Sequence, residues 1–235
     1  MKVKIFTTSV LFIMMILSIF YSNSINSSRT KYINNGNILN DSLVLITKDS
    51  IISYLKILNL VKDSMTTREI DLNRIENSIN EIKYVKNSNA YFGINSNLKI
   101  NIIEREPLVE INDKDVYLDY EGEMVPKSIL NKPKSIKFFG KIDSTIYKNI
   151  GNLGQNIMFD DFFKNHFKYI FSDSSEIFIK PKKYNYVIEI GNLELIENKL
   201  MNYKFFYATK IKGKDLEDIK TINLRYANQV ILERK

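Results

Sequence analysis

Between residues 72 and 103 the spacing of apolar positions changes, and the change marks a helix giving way to a hairpin. Leu72, Ile75, Ile79 and Ile82 recur at three- and four-residue intervals, the period of one helix face. Asp71, just ahead of them, has the side chain of an N-cap. Residues 84–91 then read as a strand ending at a turn, where Gly93 tolerates positive φ and Asn95 and Asn97 suit the turn. Past it the pattern alternates: Leu98, Ile100 and Ile102 fall on one face, Lys99, Asn101 and Ile103 on the other. Pro107 cannot donate to a central ladder, so this strand is expected to end near Arg105.

Upstream, residues 43–47 read as a short apolar strand. Lys48 or Asp49 then starts a helix carrying Ile51, Ile52, Leu55, Leu58 and Leu60, and residues 62–69 form a polar connector. The predicted order is strand, helix, helix, strand, strand. After Pro107 the chain turns β-rich. Residues 108–111 and 116–120 read as strands about a polar turn, Glu121-Gly122 and Pro126 punctuate the next turn, and residues 135–139 form a strand closed by Gly140. The spacing of Phe159, Phe162, Phe163, Phe167 and Ile170 predicts one helix over residues 156–171. Strands at 176–180 and 184–190 flank Pro181, and a helix at 194–205 carries Leu195, Ile196, Leu200 and Tyr203. A charged loop at 210–220 leads to closing strands at 221–226 and 229–234, which contain no Gly or Pro.

The amino terminus follows neither pattern. Lys2 and Lys4 precede an uncharged apolar run over residues 5–21, near the lower limit for a bilayer-spanning helix. Two readings fit. Ser22 and Ser24 offer the small residues of a signal-peptide cleavage site, and the positive flank suits an uncleaved anchor with its amino terminus inside. Either places the chain beyond Asn23 outside the cytoplasm, on a polar Ser/Asn-rich stalk that extends to about residue 42.

Composition removes several classes. The net charge is +7, a balance that suits nucleic acid or an anionic membrane surface. The lysines are spread along the chain, however, with no basic stripe interleaved with aromatics, so no nucleic-acid partner is expected. The absence of cysteine excludes disulfides, Cys-based metal sites, thiol nucleophiles and an acylated cysteine. With 44% hydrophobic residues an ordinary packed core is available.

Candidate chemistry is sparse. His166 has Asp160 and Asp161 nearby but no second His or Cys to complete a zinc site. It reads as a surface or half-buried structural histidine, and the two aspartates as first-turn helix acids. Glu104, Arg105 and Glu106 form a charge cluster, open as an anion site through Arg105 or as the solvated end of a strand. No serine sits in a nucleophile elbow or in an S-x-x-K arrangement of the known catalytic kind, and the eight glycines form no phosphate loop. We expect no enzyme, no cofactor and no metal.

Four pieces of the chain carry a resemblance. "IDLNRIENSINEIKYVKNSNAYFGINSNLKINIIEREPLVEIN" resembles the second half of a POTRA domain as found in the bacterial cell-division family FtsQ/DivIB, of the Bacteroidota type. "YLDYEGEMVPKS", "IEIGNLELIENKLMNYKFFY" and "INLRYANQVILERK" resemble that family's later strands, last helix and closing strands, in the same order. The resemblance implies an α+β protein with an N-terminal transmembrane helix, a POTRA domain (β-α-α-β-β) and a β-rich domain with an antiparallel or mixed sheet and two helices. The boundaries follow: residues 1–4 cytoplasmic, 5–21 anchor, 22–42 stalk, 43–111 POTRA domain and 112–235 β domain. It also implies a structural salt bridge for the charge cluster before Pro107, at the junction of the domains.

In function, the resemblance implies a single-pass inner-membrane division scaffold, largely periplasmic and at the septum, that joins FtsB and FtsL and works with FtsK, FtsW and FtsI. The alternative is a POTRA-bearing component of protein transport or outer-membrane assembly. That should be followed by a barrel of amphipathic strands of ~10 residues each, for which the remaining chain is too short. The closing strands carry the predicted site. A last strand is commonly a sheet edge with unpaired backbone groups, open to strand addition by a partner. The resemblance points to Leu224, Arg225, Tyr226, Ala227, Asn228 and Gln229 as the FtsB contact, with Tyr226 the anchor, Arg225 paired to a partner acid, and Gln229, Val230, Ile231 and Leu232 offering backbone.

Overall fold

The computed structural model describes residues 2–28, 30–31, 43–93, 97–174, 176–210, 216–226 and 229–235. It forms two compact units, Met1–Glu104 and Arg105–Lys235. The division falls before the boundary expected at residue 111, because residues 109–111 pair into the second unit's sheet.

The first unit opens with α1 (Lys2–Ser28), followed by β1 (Thr30–Lys31), α2 (Lys48–Ile57), β2 (Met65–Thr66), α3 (Leu72–Asn80), β3 (Val85–Phe92) and β4 (Leu98–Glu104). The side chains of α1 described, residues 9–25, are all exposed. Among the described residues no helix is long and apolar enough to cross a membrane. The expected stalk lies largely outside the described residues, since α1 runs to Ser28 and residues 32–42 are not described.

Local signals hold for the helices and hairpin. Thr47 Oγ1 accepts from the Ser50 amide at 3.0 Å and Asp71 Oδ1 from the Arg74 amide at 3.1 Å, capping α2 and α3. β3 and β4 pair antiparallel with Ala90 opposite Ile100. Leu98, Ile100 and Ile102 pack into one core with Ile51, Leu55, Ile75, Ile79 and Val85, whereas Asn101 and Ile103 face out.

The expected strand at 43–47 is a correction: those residues form bends. The Glu104 carboxylate accepts from the amides of Val44, Leu45 and Ile46 at 2.7, 2.8 and 3.1 Å. Three successive N–H groups turned onto one anion cannot also form a ladder. On the hairpin's other side, Glu76 Oε1 accepts from the Ala90 amide at 2.6 Å, so a carboxylate occupies an edge donor of β3. The hairpin is accordingly a two-stranded sheet.

The second unit is a nine-stranded mixed sheet carrying helices. In chain order come β5 (Val109–Ile111), β6 (Val116–Leu118), β7 (Met124–Pro126), β8 (Ile136–Phe139), α4 (Tyr147–Met158), α5 (Asp161–His166), β9 (Phe167–Asp173), β10 (Glu176–Pro181), β11 (Val187–Gly191), α6 (Ile196–Lys210), β12 (Ile219–Asn223) and β13 (Ile231–Arg234). Across the sheet the order is β13-β12-β11-β10-β9-β8-β5-β6-β7, with β5–β8, β8–β9 and β11–β12 parallel.

The single helix expected at 156–171 is the second correction. α4 ends at Met158, Asp160 caps α5 through the amides of Phe162 and Phe163 at 2.9 and 3.2 Å, and Phe167 begins a strand. Phe163, Phe167 and Ile170 are all buried, but on two elements with different periods. Most of α4 precedes the helix expected from residue 156 and was not anticipated. A Cβ at Gly151 would lie 2.1 Å from the Asp119 carbonyl oxygen, and one at Gly154 2.3 Å from Val109 Cγ2. Here glycine permits close approach of helix to sheet.

Candidate functional site

The closing segment leaves the sheet and returns to it. Leu224 follows β12, is fully buried, and donates its amide to the Glu189 carbonyl at 2.8 Å. Asn223 Oδ1 accepts from the Arg225 amide at 2.9 Å, turning the chain outward. Tyr226 is 62% exposed, and its carbonyl accepts from the Gln229 amide at 3.2 Å. Ala227 and Asn228 lie outside the described residues. Val230 and Leu232 are half-buried against the main core, whereas Ile231 is exposed. The strand proper starts at Ile231, so Gln229 and Val230 belong to the approach and not to the ladder as expected.

Among the described residues β13 pairs with β12 alone and is one edge of the sheet. A strand in that position presents one row of backbone groups outward. At the opposite edge, β7 is three residues long and ends at Pro126, a blunted edge. β13 contains no proline; its outer residues Glu233 and Arg234 are charged, and Glu233 pairs with Lys220 of β12 at 2.7 Å.

Arg225, expected to meet a partner acid, is paired within the chain. Its guanidinium pairs with Glu176 and, through Nε, lies 3.7 Å from Glu189. That fastens the turn across β10 and β11 and leaves Tyr226 as the large exposed side chain of the group. Beside it lies a depression of about 380 Å³ lined by Asn192, Glu194, Leu195, Lys199, Arg225, Tyr226 and Gln229. Its far wall is the β11–α6 connection, which sequence reasoning did not connect to the site. Lys199 fixes that wall. Although 2% exposed, it donates from Nζ to the carbonyls of Ile190 (3.0 Å) and Asn192 (2.8 Å) and to Asn192 Oδ1 (2.8 Å). Burial pulls its pKa below the ordinary lysine value, with Glu194 opposing. A lysine inside an otherwise apolar helical stripe was the available signal.

The expected candidates elsewhere resolve into structural roles. His166 is buried; its Nε2 lies 2.6 Å from Tyr203 Oη, which lies 2.8 Å from Tyr186 Oη. Phe162 stacks on the imidazole at 4.9 Å between centroids. Burial, and then the Lys182 charge, push the His166 pKa down to about 4, and burial pushes both tyrosines up. Asp160 serves as the α5 cap and pairs with Lys204 at 2.6 Å. In the charge cluster, Glu104 binds amides of its own unit. Arg105 Nη1 lies 2.7 Å from buried Asp119 and 3.4 Å from Glu121, an ion pair inside the second unit. Among the described residues no group of three His, Asp or Glu is placed to hold a metal ion.

At the carboxy-terminal edge an edge strand, an exposed aromatic and a walled depression lie together. The family model described as "FtsQ/DivIB, C-terminal related" matches residues 106–232, more than half of the chain, taking in the sheet from β5 into β13. No curated protein matches the chain.

Proposed function

The chain belongs to the FtsQ/DivIB, C-terminal related family, and from that premise we propose that it is a non-enzymatic cell-division scaffold of the inner membrane. The observation that carries the proposal is the family match over a unit whose sheet ends in an open strand beside an exposed Tyr226. In this reading β13 accepts a strand from FtsB, the partner that the family resemblance implies together with FtsL, and Tyr226 anchors it in the depression against Leu195. Main-chain bonds supply affinity and alternate side chains supply register. FtsK, FtsW and FtsI are the further partners of the same machinery. The first unit, with its two helices on a hairpin, serves as the POTRA domain. The exposed apolar side chains of α1, among them Leu11, Phe12, Ile13 and Leu17, support a membrane seat for that helix.

The test is co-purification of FtsB with the full-length tagged chain from solubilised membranes. Tyr226→Ala should abolish it at an unchanged thermal midpoint, and Val230→Pro should abolish it with a modest loss of midpoint, since it fixes φ just ahead of β13 at a side chain half-buried against the core. Depletion of the protein should give filamentous cells. Wild-type recovery of FtsB by both folded variants, or recovery of outer-membrane precursors in its place, would overturn the proposal.

A further inference from the structure

A second concave surface of the nine-stranded unit lies away from the closing edge. It is a groove of about 480 Å³ between the segment leading into β8 and the junction of α4, α5 and β9. Lys132, Lys134, Lys137, Lys164, Lys168 and Lys182 line it. The one carboxylate in its lining, Glu110, is already held by Lys127 at 3.0 Å. Among the described residues none of the six lysines has a carboxylate partner: Lys182 donates to the Lys164 carbonyl at 3.0 Å, and Lys168 lies 5.9 Å from the centre of the Tyr169 ring. The charge is felt inside the fold, because Lys182 adds to the burial that lowers His166, and Lys168 to the burial that lowers Lys180.

Between the lysines the floor is apolar: Ile157 and Phe167 close it from the core side, almost wholly buried, and half-buried Met158 is the apolar side chain it presents. An adjoining depression of about 250 Å³ shares Pro133, Lys134, Met158 and Lys164 with the groove and adds Pro107, Leu108 and one exposed carboxylate, Glu106. Phe159, 60% exposed, stands at its margin. Six like charges held in one groove repel one another, and the arrangement gains whatever opposite charge enters it.

The geometry narrows what that is. The ammonium groups ride on long flexible stems and none of the six side chains is buried, so they form a rim and not a convergent cage for one small anion. Single-stranded nucleic acid is held by successive exposed aromatics, and Phe159 is the one exposed aromatic of the two depressions. A bilayer surface is flat on this scale and would meet the rim while leaving the floor uncovered. We propose that the groove binds an acidic polypeptide segment of a partner protein, its carboxylates on the lysine rim and its apolar side chains against Met158 and the exposed Phe159. The proposal does not rest on the strand-addition reading: β9 and β13 are separated by β10, β11 and β12, roughly 19 Å at ~4.8 Å per strand spacing.

The experiment uses the full chain in detergent micelles and a fluorescein-labelled peptide of alternating Glu and Leu, read by fluorescence anisotropy. Binding should weaken as salt rises. Lys134→Glu, Lys137→Glu and Lys164→Glu combined should lower affinity by at least roughly tenfold, the scale of several lost charge contacts. The corresponding Arg triple should retain it. Reversing Lys83, Lys141 and Lys148, which changes net charge equally, should leave affinity within about twofold if the contacts are local and not a field effect. Should the Glu triple fail to fold by circular dichroism, Lys132→Glu with Lys168→Glu, both exposed side chains, takes its place. Equal loss in the control reversal, or displacement of the peptide by phosphatidylglycerol vesicles or inorganic phosphate at matched charge, would overturn the proposal. Tyr226→Ala should bind the peptide like the parent, which keeps this test separate from that of FtsB recovery.

Discussion

The two units hold helices against a sheet by different atoms. In the first, isoleucines and leucines at regular spacing fill the gap between α2, α3 and the hairpin, and two carboxylates, Glu76 and Glu104, join the elements through backbone amides. In the second, α4 lies so close to the sheet that Gly151 and Gly154 leave no room for a side chain. α6 is fastened there by a buried histidine–tyrosine chain. The difference teaches what a hydrophobic pattern can report. A gap filled with side chains writes its period into the sequence, whereas a gap closed by backbone writes glycine, which looks like a turn.

The largest test of that contrast is Gly151→Ala. The added methyl would meet a backbone oxygen at 2.1 Å, and neither a helix nor a strand-flanking turn can rotate away as a side chain can. We expect a loss on the order of 4 kcal/mol, above the ~1–3 kcal/mol of ordinary overpacking, read from urea unfolding. A variant within about 0.5 kcal/mol of the parent would mean that α4 rides further from Asp119 than its geometry here requires. The counterpart in the first unit is Ile100→Ala, a truncation at a fully buried position, expected to cost about 2–4 kcal/mol. Hydrogen exchange should quicken in β3 and β4 and stay unchanged in β9 and β10. An unaltered midpoint would show that the hairpin presents its other face to the helices.

A smaller effect should separate the units by pH. Burial holds the His166 pKa at about 4 against the ordinary 6.5, so the fold keeps the neutral imidazole. The stability this contributes is full above about pH 6.5 and is lost as pH falls toward 4, on the order of 2–3 kcal/mol across that window. Between pH 6.5 and 5, where carboxylates have barely begun to titrate, the second unit should lose stability and the first should not. His166→Gln should flatten the slope. A slope that persists in this variant belongs to other groups.

How far the sequence could be read follows the same division. The cap at Asp71, the α2 and α3 stripes and the face of β4 were legible because each depends on residues within one turn or one strand. The strand at 43–47 was misread because Glu104, some sixty positions away, takes its amides. The phenylalanines after residue 158 misled because burial on a helix and burial on the next strand together imitate one helical period. At the closing edge, the resemblance pointed to Tyr226, but the pattern placed it inside a strand at 221–226 that ends at Asn223. The opposing wall held by Lys199 was not legible, nor was the pairing of Arg225 with Glu176, since both depend on which strands become neighbours.

The smallest effect lies where the two sheet edges differ. β7 ends in proline and has little to offer a further strand. β13 is four residues long, and its cross-strand ion pair, Lys220 with Glu233, leaves both side chains more than half exposed. Exposed pairs of this kind contribute close to nothing to stability, since water solvates either charge as well as its partner does. Lys220→Ala, Glu233→Ala and the double variant should therefore share the parent's unfolding midpoint within experimental error. Leu224→Ala, one turn earlier and fully buried, should lower it measurably. Such an outcome would place the anchoring of the segment at Leu224 and in the half-buried Val230 and Leu232, leaving the outer row of β13 uncommitted. A marked shift in Glu233→Ala alone would mean that the surface pair holds the strand in place. An incoming strand would then have to compete with that pair, and the open edge would be weaker ground for partner binding than the exposed Tyr226 beside it.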